Sequence, residues 1–449
     1  MKKHLLLLIA AASMIAGGCK KYLDEKPDRS LVVISATADL QALLDNYSTM
    51  NNADPGSGEA SADNYYLTDA DWASIASEPQ RRLYTWEKDQ VIALTSNDWS
   101  NAYRTVYSCN TVLENADRVA DPNNNYETAN IKGQAYYYRG KALLQSALLW
   151  CLAYRSSTSP TDLGLPLRMT TDFNTEVPRS NNAQTFAAIT TDLIQAAKQL
   201  PVTQASAYRP GKAAAFALLA RCYLYTHNYD LAGKYADSAL QIKKDLLDFN
   251  TLSASATYPI ARQNKEVLHQ SIMVLPQLIS ATKAKIDSNL YRSYASNDLR
   301  RTIFFRDNRN GTYAFKGSYD GSAAFFSGVA VDEVYLTRAE CYARGGKITE
   351  AMADLNTLLV NRYKKGAFIP LQAATATDAL RFVLVERRKE LLMRGIRWMD
   401  IKRLNTEGAN IALQRKLNGA NYLLPPNDLR YAIAIPENLM RFGIEQNPR

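Results

Sequence analysis

The feature that most constrains this chain is a repeat of helical spacing. Ala220, Tyr223, Tyr229, Ala232, Ala236 and Ala239 recur at the same offsets as Ala339, Tyr342, Ile348, Ala351, Leu355 and Leu358. Small residues let two antiparallel helices approach closely, while Tyr and Leu fill the groove between them. The spacing therefore predicts tetratricopeptide-like helix pairs, with Gly346 at the second turn. Further amphipathic runs predict more helices. They lie around Leu40, Leu43, Leu44 and Tyr47, from Asn97 or Asp98 through Leu113, from Ile131 to Tyr154, and from Thr185 to Leu200 before Pro201. The two repeat copies stand far apart, which predicts helices bracketing an insertion rather than a continuous array. The expected fold is mostly α, a frame of helix pairs with a loop-rich insertion containing minor β-strands. The insertion spans about residues 249–328, and Val267 to Ile272 alternates as a strand would.

The N-terminus constrains where such a chain works. Met1-Lys2-Lys3-His4 is a short basic segment, and Leu5 to Ile15 is an apolar run too short to span a bilayer. Ala16, Gly17 and Gly18 then precede Cys19. That order predicts a lipoprotein signal peptide over residues 1–18, with lipid attached at Cys19. The charged stretch that follows, residues 19–35, reads as a tether, and residues 36–449 as a single domain. A cysteine carrying several acyl chains is a lasting anchor, whereas one chain holds only marginally.

Composition narrows the function. The net charge of +9 has no dense basic block, which argues against nucleic-acid binding. The histidines are His4, His227 and His269, and no metal-binding or Ser–His catalytic motif is present. Cys109, Cys151, Cys222 and Cys341 each stand alone in apolar helical patterns and read as core. No cofactor, metal or catalytic residue is expected. A glycoside hydrolase would need two carboxylates at a set separation, which sequence alone does not show.

Binding remains. Sugar rings present apolar faces edged by hydroxyls, so aromatic rings beside polar side chains suit them. The 27 Tyr against 12 Phe fit surfaces that are apolar on one side and wet on the other. The loop over residues 53–89 carries Asn64, Tyr65, Tyr66, Asp69, Asp71 and Trp72. Trp72 is the leading candidate for stacking, with Tyr66 and Tyr65 behind it. Asn64, Asp69 and Asp71 are hydrogen-bonding candidates. The insertion adds Tyr291, Tyr313 and Tyr319, with Arg292 beside the first. Tyr84, Trp86, Trp99, Tyr103, Trp150 and Trp398 read as core, because a ring at helical or strand spacing is normally packed.

Several motifs together resemble one family. They are Cys19 with Tyr22-Leu23-Asp24 and Pro27, Gly211 to Ala215 leading into Leu218 to Leu224, and Val334-Tyr335-Leu336 with Ala339-Glu340. The most specific is Glu386-Arg387-Arg388-Lys389-Glu390-Leu391 running into Arg394 to Leu404, and Ala434 to Glu437 also fits. The chain resembles the SusD/RagB family of outer-membrane lipoproteins over essentially its whole length, with an N-terminal part over about 19–225 and a C-terminal part over about 226–449. Arg394 departs from the pattern, since the family usually has Glu before Gly395.

The resemblance implies a non-enzymatic surface protein that captures glycan and delivers it to a SusC-like TonB-dependent transporter. The alternative it implies is capture of peptide or protein. It also implies a structural role for Asp298 and Arg300. The Lys and acidic residues after Cys19 resemble a signal directing lipoproteins to the outer face of the outer membrane.

Overall fold

The computed structural model describes residues 34–449, so Cys19, the signal segment and nearly all of the tether lie outside the described residues. The frame consists of α1 (Thr37–Leu44), α2 (Asp98–Asn115), α3 (Asn125–Trp150), α4 (Asn182–Gln199) and α5 (Lys212–Tyr225). It continues through α6 (Tyr229–Ile242), α7 (Val331–Arg344), α8 (Ile348–Leu359), α9 (Ala376–Glu390) and α10 (Arg397–Thr406). The strands are short and pair antiparallel in twos. They are β1 (Tyr65–Tyr66) with β5 (Lys285–Ile286), β2 (Leu163–Pro166) with β3 (Arg179–Asn181), and β4 (Val267–His269) with β8 (Val329–Ala330). β6 (Phe305–Asp307) pairs with β7 (Tyr313–Phe315), and β9 (Leu413–Leu417) with β10 (Ala420–Leu424).

Local chemistry sets the helix ends. Asn97 caps α2, its Oδ1 accepting the Ser100 N–H at 2.8 Å while Ser100 Oγ accepts the Asn97 N–H at 3.1 Å. Asn181 and Gln184 make the same reciprocal cap on α4, which starts that helix before the expected Thr185. α3 also runs earlier than expected, because Asn124 caps it. It ends at Trp150 rather than Tyr154. Lys402 Nζ donates to the carbonyls of Leu148 and Cys151, both at 2.7 Å, so a lysine amine closes the C-terminal end of the helix.

The two repeat copies are α5–α6 and α7–α8. Their turns correspond residue for residue: His227 has φ +61° where Gly346 has φ +74°. A non-glycine residue in this left-handed region costs on the order of 1 kcal/mol. Bonds from the His227 ring to Tyr229 Oη and Thr406 Oγ1, each 3.0 Å, offset part of it. The expectation of separated pairs needs correction. α2 to α8 pack serially, each on the next, and α6 lies directly against α7. Gly233 permits this approach, since a Cβ there would stand 3.1 Å from Cys341 Cβ. The insertion loops out between them, leaving and returning at the β4–β8 pair, where Val267 faces Ala330. The helices thus form one continuous stack.

Rings expected in the core are there. Trp99 meets Trp150 edge-on at 4.9 Å and stacks on Tyr103 at 4.9 Å, and Trp398 packs on Tyr431 at 4.9 Å. Cys109, Cys151, Cys222 and Cys341 are buried free thiols. Beneath the insertion runs a buried ion network. Arg300 binds Asp298, Glu386 and Glu390 at 2.8, 2.6 and 2.9 Å, and Arg362 joins Glu390 to Glu266 at 2.7 and 2.8 Å. Glu386 and Glu390 therefore pair with Arg300 rather than with α10. Arg403 pairs with Glu340 and Asp400, and Arg397 with Asp63. Buried, fully paired charges like these hold elements in one register more than they add net stability. No helix among the described residues is long and apolar enough to cross a membrane.

Candidate functional site

Two loop segments meet on one face of the frame. The first leaves the short helix Ser57–Ser61 and runs through β1 to the short helix Asp69–Ala73. The second is the insertion. β1 and β5 join them, pairing Tyr65 with Ile286 and Tyr66 with Lys285. Side chains extend the seam. Lys285 Nζ lies 3.0 Å from Asp71 Oδ2, Lys283 Nζ donates to Ser74 Oγ at 2.5 Å, and the Gln277 N–H donates to Gln80 Oε1 at 2.8 Å.

Beneath the seam is a rigid floor. Tyr65 is 3% exposed and donates its hydroxyl to the Ala60 carbonyl at 2.6 Å. The Arg415 guanidinium lies 5.2 Å from the Tyr65 ring, 3.7 Å from Tyr84 and 4.6 Å from Trp86. Asn64 is 1% exposed; its side-chain amide donates to Glu59 at 2.9 Å, and its backbone carbonyl accepts the Asp287 N–H at 3.0 Å. Asp63 receives two bonds from Arg397, at 2.7 and 2.9 Å. Burial would raise its carboxyl, but Arg397 and then Arg388 outweigh that and hold it at about 2.

The sequence-predicted residues divide accordingly. Tyr65 and Asn64 belong to the floor and have no surface for a ligand, which corrects their assignment as contacts. Tyr319 is corrected for the same reason. It is 1% exposed, donates to Glu266 at 2.7 Å and lies 4.6 Å beneath the Arg394 guanidinium. Tyr291 stacks on Tyr313 at 3.5 Å, with the Arg301 guanidinium 5.1 Å from its ring, so its faces are largely committed to packing. Arg292 is exposed and donates to Asn289 at 2.5 Å.

Tyr66 is half-exposed. Asp69 is exposed and accepts the Asn418 N–H of the β9–β10 turn at 2.9 Å. Asp71 accepts from Thr68 at 2.6 Å as well as pairing with Lys285. Burial pushes its carboxyl up, but these bonds outweigh it and hold it below the usual range. Trp72 is half-buried, its Nε1 donating to the Arg81 carbonyl at 3.5 Å and the Arg81 guanidinium 6.0 Å from its ring.

Sequence reasoning missed a further part of this face. A cavity of about 260 Å³ lies within the insertion, lined by Ser255, Thr257, Tyr258, Arg306, Lys316 and Ser322 among others. Phe315 and Phe325 supply its apolar wall. Tyr258 is 41% exposed. Lys316 Nζ donates to the carbonyls of Ala254 and Ala256 at 2.6 and 3.2 Å, which fixes the loop carrying Tyr258. Arg306 donates to the Ala281 carbonyl at 3.2 Å, and Ala281 lies on the segment that leads to the β1–β5 seam. The β6–β7 hairpin links the parts, with Tyr313 on the tyrosine pair and Arg306 and Phe315 in the cavity. The available signal was the Ser, Thr and Tyr content of the insertion.

The face mixes an exposed ring, hydroxyls and cations, which is the chemistry of a polar-ligand binding surface on a rigid frame. Among the described residues, no group of three or more His, Cys, Asp or Glu side chains is placed to hold a metal ion. The buried His269 stays neutral, since burial and then Lys141 push it well below its ordinary range.

A helical stack of paired helices carrying a loop-borne aromatic and polar face is therefore the class. The family model described as starch-binding associating with outer membrane matches residues 21–224, and the SusD family model matches residues 332–440. The chain belongs to the SusD family. A putative sugar binding protein from Bacteroides vulgatus superposes with a TM-score of 0.74 at 21% identity, covering 93% of this chain and 99% of that one. A SusD superfamily protein from Bacteroides thetaiotaomicron gives 0.74 at 21%, covering 92% and 100%. A SusD-like carbohydrate binding protein from Bacteroides vulgatus gives 0.67 at 20%, covering 91% and 96%. These likenesses establish the shared fold. No curated protein matches the sequence.

Proposed function

We propose that this protein captures glycan at the bacterial surface and delivers it to a SusC-like TonB-dependent transporter, without catalysing a reaction. The observation that carries this reading is the face joining the residue 65–81 loop to the Tyr258 cavity. Its exposed ring suits the apolar side of a sugar, and Arg306, Ser255, Thr257 and Ser322 suit the hydroxyls. Trp72, Tyr66, Asp69, Asp71 and Arg292 would extend contact along an oligosaccharide. The family descriptions, starch-binding and associating with outer membrane, support both the ligand class and the location.

In this reading Cys19 carries the lipid, residues 19–35 are the tether, and residues 36–449 form one unit facing the exterior. The test of capture is retardation of the purified protein in native gels containing individual soluble polysaccharides. Retardation by none of a broad panel, with a peptide library captured instead, would replace the glycan reading by the peptide one. Delivery is tested by purifying the protein from its own membranes in mild detergent. A barrel-sized companion is expected, and its repeated absence would contradict the partnership. Protease added to intact cells should cut the protein, and full protection would place it inward.

A further inference from the structure

The sharp turn before α10 encloses a second kind of site. Arg394 is 4% exposed and makes one ion pair, Nη1 to Asp332 Oδ2 at 3.0 Å. Its Nε and Nη2 are buried without any hydrogen-bond partner, as is Trp398 Nε1. Its guanidinium lies against the Tyr319 and Phe326 rings, 4.6 and 4.5 Å from their centroids. A small cavity of about 30 Å³ is lined by Arg394, Arg221, Gly58, Gln145 and Trp398 among others. Arg221 binds Glu333 through Nε and Nη2 at 2.7 and 2.6 Å and gives a further Nη2 bond to the Gly328 carbonyl at 3.0 Å. Gly395, Ile396 and Met399 complete one side, where α10 begins with no side chain capping its amides.

The buried groups there that lack a hydrogen-bond partner are donors. Two guanidinium nitrogens carrying three N–H bonds, an indole N–H and the positive end of a helix belong to residues lining one small space, and the nearby carboxylates Asp332 and Glu333 are already held by the two arginines. Buried donors left unpaired cost about 1–3 kcal/mol each, so this chamber calls for an acceptor. Helix N-termini favour negative charge, and guanidinium bonds to anions are the stronger kind. A water needs roughly 10–15 Å³ of such space, which leaves room for a one-atom anion with a water but not for phosphate or sulfate. We infer that the Arg394–Trp398 chamber is a buried halide site, taking chloride under ordinary conditions. The ion would tie the insertion, through Tyr319 and Phe326, to the start of α10.

The probe is bromide, whose anomalous scattering separates it from water. Crystals of the full chain grown in sodium bromide should show an anomalous peak beside Arg394 and Trp398. In solution, replacing gluconate by chloride or bromide at constant ionic strength should raise Tm by at least about 2 °C, since a ligand bound to the folded state stabilises it. Arg394→Met should abolish that dependence; if it does not fold, Arg394→Lys and the wild-type crystals still decide. A water without anomalous signal overturns the inference. A bromide peak without a Tm response would mean binding at crystal concentration only, and overturns it as a solution site.

Discussion

Replacing Glu59 by Gln tests the electrostatics of the floor beneath the two loops. Glu59 is fully buried and accepts the Asn64 amide and the Gly395 N–H, each at 2.9 Å. Burial raises its carboxyl from 4.5 to about 7 despite those bonds. The unfolded chain ionises this group near its ordinary value, so folding favours the protonated form. A folded pKa above the unfolded one gives stability that is complete below the unfolded value and is lost as pH rises through the folded value. The difference corresponds to roughly 3 kcal/mol. Gln stays neutral throughout. Turning its amide N–H toward a donor costs about 1–2 kcal/mol at any pH. Urea unfolding of wild type and Glu59→Gln at about pH 5 and about pH 8.5 separates the two contributions. The variant should gain roughly 2–3 kcal/mol relative to wild type between the lower and the higher pH. A stability difference that is the same at both values would refute the assignment.

Three further outcomes follow from the same geometry. Arg300→Met leaves Asp298, Glu386 and Glu390 without their shared cation and should cost about 3–5 kcal/mol in urea unfolding; a loss under about 1 kcal/mol would show the network adds no constraint. Gly346→Ala places a side chain at φ +74°, with nothing within 4 Å to clash, so calorimetry should find only the backbone cost, about 1 kcal/mol. Trp72→Ala should weaken glycan retention several-fold, whereas Tyr319→Phe should change stability and leave retention alone; the reverse pattern would move the site inward.

The helical frame was legible because its signals are local. The offsets from Ala220 and Ala339 define two hairpins, and Asn97 marks a helix start by its own side chain. Their direct contact was not legible, since Gly233 against Cys341 depends on an excursion of the chain that leaves no local trace. The candidate site was harder still. Tyr65 and Tyr66 are neighbours with alternate directions, and the ring that turns inward is fixed by Arg415, far along the chain. Tyr319 was hidden similarly, by Glu266 and Arg394. Tyr258 went unnoticed because its cavity is assembled from segments near residues 255, 281, 306 and 316–325 that only the fold brings together. The departure at Arg394 was legible as an oddity, and the structure gives it a partner in Asp332 and two idle donors.

The central claim is that the face around Tyr258 holds glycan. Titration calorimetry with an oligosaccharide drawn from whichever polysaccharide retards wild type, run on wild type and on folded Tyr258→Ala, tests it most directly. A stacked ring is worth on the order of 1.4 kcal/mol, so the variant should bind about tenfold more weakly. Unchanged affinity in a variant with wild-type Tm would contradict it.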